Sequence, residues 1–407
     1  MGKEGVMQNR SAKMVGITAI VFIAALVAGC FGKTDNQTNA DRFQASVSTN
    51  WTQFKQAHGL PSGGVAVYAE TPSGSYFASS GMPAGVNPNT RFRAGSNTKT
   101  FTAAAIMLLN QTGSLDIDAL ITSNIPGKGI PYVPATAAFN IPNKAGITIR
   151  QLLSHTAGVF DISNQEVPAT AACPYAGQSY ITNVLATDPN HQFSSDELIG
   201  VIAACQISHF APGGGYHYSN AGYWLLSTII ERVSGISYDQ FVLNNLITPN
   251  GLSSTTIPML GTDQTLPAPF TPGYIYDGGV TTDATLANES ASVGSGNVIS
   301  TPVDLARWVR RLIRAEAGLN AASVAQMKTA TPQSGTTRYG LGIFFTDKLG
   351  YGHNGAVSGY LSQMLYDPDS DVTTIVYFNV WDVPDLSPDQ FALNVSIAQD
   401  AKAALGY

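Results

Sequence analysis

Apolar residues recur at helical spacing at Phe43, Val47, Trp51 and Phe54, which predicts an amphipathic helix over residues 41–58. Two short stretches follow, "SGGVAVYAE" (62–70) and "GSYFASSG" (74–81), and read as strands joined by a turn carrying Pro72 and Gly74. The far end of the chain has the same character. "RYGLGIFF" (338–345), "GYGHNGAV" (350–357), "GYLSQMLYD" (359–367) and "VTTIVYFNV" (372–380) read as successive strands, with "DPDSD" (367–371) turning between the last two. A closing helix opens at "SPDQ", with Ser387 as N-cap, Pro388 at the first helical position and Gln390 completing a capping box. Between these ends the pattern becomes helical: from Asn97 onward, then over 148–154, 194–205, 220–234, 237–247 and 302–316. Residues 123–146 and 155–193, rich in Pro, Asn, Thr and Ala, read as long loops, which in a compact domain are usually functional rims or insertions.

Strands at both ends with helices between them imply a sheet assembled from distant parts of the chain. The fold class expected is α/β (α+β): an antiparallel sheet flanked by the N- and C-terminal helices, plus a mostly helical lobe. The sheet lobe takes about 41–90 and 335–407, and the helical lobe about 91–334, together one domain over 41–407. With 44% hydrophobic and 12% charged residues the chain is globular. A net charge of −6 carries no basic footprint, which argues against nucleic acid as a partner.

The N-terminus adds a location. Lys3, Arg10 and Lys13 precede the apolar run "VGITAIVFIAALVAG", the pattern of an export signal over 1–29, and the run is short for a membrane span. "LVAGC" resembles the lipobox of bacterial lipoproteins, which implies lipidation at Cys30, a tether over 30–40 and anchoring to a bacterial cell membrane on the periplasmic or extracellular side; a plain signal peptide or an uncleaved anchor is the alternative. Cys173 and Cys205 remain, and an even pair in an exported chain suggests a disulfide, against two buried thiols. No CxxC or HExxH spacing occurs, so no metal and no cofactor is expected.

Three stretches carry candidate chemistry. In "FRAGSNTKTFTAAAIMLLN", Ser96 and Lys99 are three residues apart and share a helix face. A serine at a helix start has its hydroxyl and backbone N–H at the positive end of the dipole. A lysine rooted in an apolar helix is desolvated, which lowers its pKa and lets it accept a proton. The pair reads either as an activated nucleophile or as an N-cap beside a solvated lysine. In "PGGGYHYSNAGYWLLSTIIERVSG", Tyr218 stands on a Gly-rich loop before Asn220, where a phenol can relay protons and an amide can orient a carbonyl; packing and N-capping are the alternatives. In "YGHNGAVSGY", His353 and Gly355 lie on a predicted strand. The missing side chain of Gly355 would let substrate lie along it, and the Ala356 N–H could join that of Ser96 in an oxyanion hole.

SxxK, then YxN, then HxG, in that order and in fitting contexts, resembles the penicillin-recognising serine hydrolases: class C β-lactamases, D-alanyl-D-alanine carboxypeptidases and related esterases. "LPSGGVAVYAETPSG", "LLSHTAGV" (152–159) and "GSGNVISTPVDLARW" (294–308) are similar to other segments of that family, so the resemblance covers about 41–405. It implies the β-lactamase/transpeptidase fold, with Ser96 acylated, Lys99 its base partner and Tyr218 a proton relay or general base. Asn220, His353 and Gly355 would orient substrate, and the Ser96 and Ala356 amides would bind the oxyanion, while His155 would be scaffold. Two departures qualify this. His353 stands where most class C β-lactamases carry Lys, and Asn354 where a Thr hydroxyl usually helps hold a carboxylate; Arg338 reads either as a compensating charge or as a solvated strand-entry residue. The expectation is an exported acyl-enzyme hydrolase of D-alanyl wall peptides. Its rivals are hydrolysis of β-lactams or small esters by the same residues, and a non-catalytic lipoprotein that binds penicillin or wall peptide.

Overall fold

The structure is a computed structural model that describes residues 37–382 and 387–407. The expected export signal, Cys30 and the tether up to residue 36 lie outside the described residues, as does the side chain of Ser387 at the expected cap.

The first helix, Asn39–His58, begins at a capping box: Thr38 accepts from the Asp41 amide at 3.1 Å and Asp41 accepts from the Thr38 amide at 3.0 Å. It ends at Gly59, whose φ of 67° suits glycine. Phe43, Val47, Trp51 and Phe54 form its buried face, packed against the closing helix Ser387–Ala404 and the strand Gly74–Ser80.

Six antiparallel strands make the main sheet, in the order Gly74–Ser80, Val65–Thr71, Val372–Phe378, Tyr360–Asp367, Gly350–Val357, Phe344–Thr346. The central pairing Val65↔Phe378 joins the two ends of the chain. Because strand side chains alternate, Val65, Val67, Leu361, Leu365, Val376 and Phe378 face the terminal helices, while Ala66, Tyr68, Tyr360, Met364, Ile375 and Tyr377 face the helical region. Burial of both faces explains why "GYLSQMLYD" and "VTTIVYFNV" lack clean polar alternation.

Several sequence expectations need correction. Of "RYGLGIFF" only its end is strand, Phe344–Thr346: Arg338 (φ 52°) and Gly342 (φ 71°) bend the chain. Gly340 also lies so close to Met327 that a Cβ would sit 2.0 Å from its carbonyl oxygen. The supposed loop 155–193 contains the helix Tyr180–Thr187, whose short stripe of Tyr180, Ile181, Val184 and Leu185 packs half-buried against the core and spans little more than one helical repeat. Short 3₁₀ turns, Ala137–Phe139 and Lys144–Gly146, interrupt 123–146. The segment 237–247 is the α-helix Tyr238–Val242 running into a π-helical turn, Leu243–Ile247, and the helix expected over 302–316 stops at Ile313. The middle of the chain also holds a helix, Ala321–Lys328, and an exposed hairpin, Tyr274–Asp277 with Val280–Asp283, that pairs in parallel with Val380–Asp382.

Cys173 is joined to Cys205 with their Cα atoms 4.9 Å apart, which ties the long loop to the end of the helix Ser195–Cys205. A loop of this size is worth about 3–4 kcal/mol in the chain-entropy model.

Candidate active site

Between Phe92 and Thr100 every residue is buried except Ser96, which is half-buried. Gly95 turns the chain with φ 55° into the short 3₁₀ turn Gly95–Asn97, which leads into the helix Thr98–Gln111. Thr98 Oγ1 donates to the Gly95 carbonyl at 2.8 Å and accepts from the Val298 amide at 2.9 Å; Asn97 Nδ2 donates to the Ala94 carbonyl and to Ser362 Oγ, each at 2.8 Å. The Ser96 turn is thereby held to the sheet and to the segment before residue 300.

Lys99 points back along the helix onto Ser96, as helical side chains do. Its Nζ is 3.0 Å from Ser96 Oγ, 2.6 Å from Asn220 Oδ1 and 2.7 Å from the Ser295 carbonyl oxygen. The lysine is 0% exposed. Burial pulls its pKa down to about 7, partly opposed by the negative charge of Asp161. A neutral amine has two N–H donors and one lone pair. Asn220 Oδ1 and the Ser295 carbonyl are acceptors only, so they take the two N–H groups and leave the lone pair directed at the Ser96 hydroxyl.

Tyr218 sits on the loop before the helix Asn220–Ser234, with Lys99 Nζ 4.7 Å from its ring centroid. Burial pushes its phenol well above the ordinary value, with hydrogen bonding to Ser96 opposing, so the hydroxyl stays protonated near neutral pH. This argues against a phenolate base and leaves the relay role. His155, at φ 57°, accepts from the Ser219 amide through Nδ1 at 3.1 Å and stacks on Tyr218 at 4.3 Å, which fixes the tyrosine loop from below. The helix cap is Ser219, whose Oγ accepts from the Gly222 amide, so the Asn220 side chain is free to face Lys99.

His353 is fully buried, accepts from the Tyr339 hydroxyl at Nε2 (2.9 Å), and packs 5.4 Å from Phe344. Burial and the nearby Lys99 charge lower its pKa to about 3, so it is neutral. Gly355 also has a structural reason to be glycine: a Cβ there would lie 2.1 Å from the Ala94 carbonyl oxygen, so the absent side chain makes room for the Ser96 turn. A Cβ on Gly95 would in turn come within 2.9 Å of the Ala356 nitrogen. The two close approaches set the Ser96 and Ala356 backbones side by side.

A cavity of about 540 Å³ opens from Tyr218 and His353, walled by Tyr216, Tyr339, Phe344 and Asn354. At its rim Arg338 pairs with Asp347 at 2.7 Å. Sequence reasoning missed Asp161, Ser163 and the Ser295 carbonyl. "DISN" (161–164) follows the "LLSHTAGV" segment, and an Asp two residues before a Ser is the mark of a side-chain turn; Ser163 N–H does donate to Asp161 Oδ1, at 3.0 Å.

The family model Beta-lactamase matches residues 47–398. Penicillin-binding protein 4* of Bacillus subtilis is 27% identical over 308 residues, 72% of this chain and 61% of that protein. The putative penicillin-binding protein PbpX of the same organism is 24% identical over 294 residues, 72% and 63% of the two. The chain thus spans about three-fifths of the length of these curated relatives. Among solved structures, the D-stereospecific amidohydrolase from Streptomyces sp. superposes with a TM-score of 0.68 at 25% identity, covering 84% of this chain and 94% of that one. The D-amino acid amidase from Ochrobactrum anthropi SV3 with D-phenylalanine gives 0.70 at 21%, covering 91% and 99%, a likeness of fold. A family match running through the sheet and the helical region alike makes this chain a member of the beta-lactamase family of serine hydrolases.

Proposed function

We propose that this protein hydrolyses amide bonds on the carbonyl of a D-amino acid through a Ser96 acyl-enzyme, with D-alanyl wall peptides as the first substrates to test. The Lys99 environment carries the reading: a buried amine with a pKa of about 7, two N–H groups engaged elsewhere and its lone pair on Ser96 Oγ. Lys99 takes the Ser96 proton as Oγ bonds to the substrate carbonyl carbon. The Ser96 and Ala356 N–H groups hold the resulting oxyanion, each such donor being worth about 3–4 kcal/mol. Collapse breaks the bond to the leaving amine, which receives the proton by way of the Tyr218 hydroxyl; water then attacks the ester and returns a proton to Ser96. Asn220 holds the lysine, and neutral His353 supports Tyr339 at the cavity wall. The names of the amidohydrolase and amidase neighbours support the D-amino acid, and those of the B. subtilis relatives support penicillin as a probe.

A second reading, small-ester hydrolysis by the same residues, has its own support, whereas β-lactams, like D-alanyl-D-alanine, carry a carboxylate. Arg338, the cation among the described lining residues, is already paired with Asp347, and Asn354 offers no hydroxyl, so the cavity favours leaving groups without a free carboxylate.

The deciding experiment is intact mass after exposure to a penicillin and to a chromogenic ester, for wild type and Ser96→Ala. An adduct lost in the variant supports an acyl-enzyme, and turnover lost in the variant ends the binding-only alternative; retention in the variant ends the Ser96 assignment. Because the neutral amine is the active form, kcat/KM rises as pH increases through about 7; a flat profile there would remove Lys99 as the base. We further propose export and lipidation at Cys30 from the 1–30 pattern, to be checked by labelling cells with a radioactive fatty acid, which Cys30→Ala must abolish.

A further inference from the structure

Asp161 takes no part in the steps above, yet it is 0% exposed and ringed by donors. Its Oδ1 accepts from the Ser163 amide at 3.0 Å and the Ser163 hydroxyl at 2.6 Å; its Oδ2 accepts from Asn164 Nδ2 at 2.8 Å and the Asn220 amide at 3.1 Å. An ionised carboxylate can only accept. The Ser163 hydroxyl proton is therefore committed to Asp161, and the Ser163 oxygen is left as an acceptor. What it accepts is Asn220 Nδ2, at 2.8 Å. That decides which end of the Asn220 amide faces which neighbour: nitrogen toward Ser163, oxygen toward Lys99 at 2.6 Å. A reversed amide would present N–H groups to the lysine, and the lone pair would turn from Ser96 to meet them.

We propose that Asp161 is a positioning residue for acylation: through Ser163 it orients the Asn220 amide, and through that amide it aims the Lys99 lone pair at Ser96. The inference rests on the reading of Lys99 as base. Asp161 also lies at the N-terminus of the helix Asn220–Ser234, where the dipole favours its negative charge. The ionisable groups that feel this charge are Lys99, Tyr218 and His209.

The test is the single-turnover acylation rate with a chromogenic ester, measured across pH. Ser163→Ala removes the acceptor for the Asn220 amide and keeps the carboxylate. It slows acylation about tenfold, roughly the rate equivalent of one lost hydrogen bond, leaves the acid limb of the profile in place, and is rescued by Ser163→Thr. Asp161→Asn slows acylation further and moves the acid limb to lower pH, because the charge that favoured the Lys99 ammonium is gone. A wild-type rate in Ser163→Ala overturns the proposal, as does a folded Asp161→Asn protein with an unmoved acid limb. If Asp161→Asn does not fold, the Ser163 pair decides alone. Failure of the wild type to acylate Ser96, or normal acylation by Lys99→Ala, instead brings down the underlying reading and this inference with it.

Discussion

The two faces of the main sheet are covered differently. Toward the terminal helices, Phe43, Val47, Trp51, Ile397 and Ala401 meet Val65, Leu361, Val376 and Phe378 in a mainly apolar layer, with the Lys402–Asp367 ion pair, Gln363 and Asn394 also buried on that side. Toward the helical region the layer is equally buried, but Lys99, Asn97, His155, Asp161 and His353 lie among its apolar side chains. An apolar layer needs volume and pattern, and tolerates exchange of one aliphatic group for another. A buried polar group needs a partner for each donor and acceptor, and removing one partner leaves the other at a cost of about 1–3 kcal/mol. The first layer therefore holds the protein together, and the second can do chemistry because its polar groups have fixed directions and displaced pKa values.

Substitutions should separate these roles. The largest effect is expected from Lys99→Ala, which slows acylation by about 10²–10⁴-fold, typical of lost general-base help, and is read by single-turnover kinetics. The acceptors left at Asn220 and Ser295 should cost about 1–3 kcal/mol of stability, so the thermal midpoint falls while the protein stays folded at the assay temperature. Trp51→Ala, in the apolar layer, should cost about 3–5 kcal/mol in denaturant unfolding and leave the acylation rate of the folded protein unchanged. Slow acylation in a stable Trp51→Ala protein would break the comparison. Gly355→Ala should cost less stability than Trp51→Ala, about 1–3 kcal/mol for an overpacked contact. It sharpens the comparison, because the added methyl presses on Ala94 and acylation should fall with it, unlike in Trp51→Ala.

Much of this was readable from the chain. The period of Phe43, Val47, Trp51 and Phe54 marks the first helix, and the observed helix, Asn39–His58, begins two residues before the expected range. The strands from 350 to 378 lie where their β-branched and aromatic residues suggest. Reading failed where backbone conformation or a distant atom decides. Arg338 and Gly342 adopt positive φ inside an apparently strand-like run, and the closeness of Ala94 to Gly355 is invisible in either local sequence. At the start of the helix Asn220–Ser234, the sequence offers Asn220 as a cap, but Ser219 takes that task and Asn220 engages Lys99.

By itself, the sequence determined which residue types exist, their local period and their order: a serine and a lysine one turn apart, a tyrosine before a capped helix, a histidine on a strand. Only the tertiary structure decided what state those groups are in. The Lys99 pKa depends on its burial and on the charge at position 161, and the direction of its lone pair on acceptors at 220 and 295 and on a chain of hydrogen bonds from Asp161 through Ser163 and Asn220. Desolvation and hydrogen-bond polarity are properties of a neighbourhood, and this neighbourhood is drawn from four separate stretches of chain.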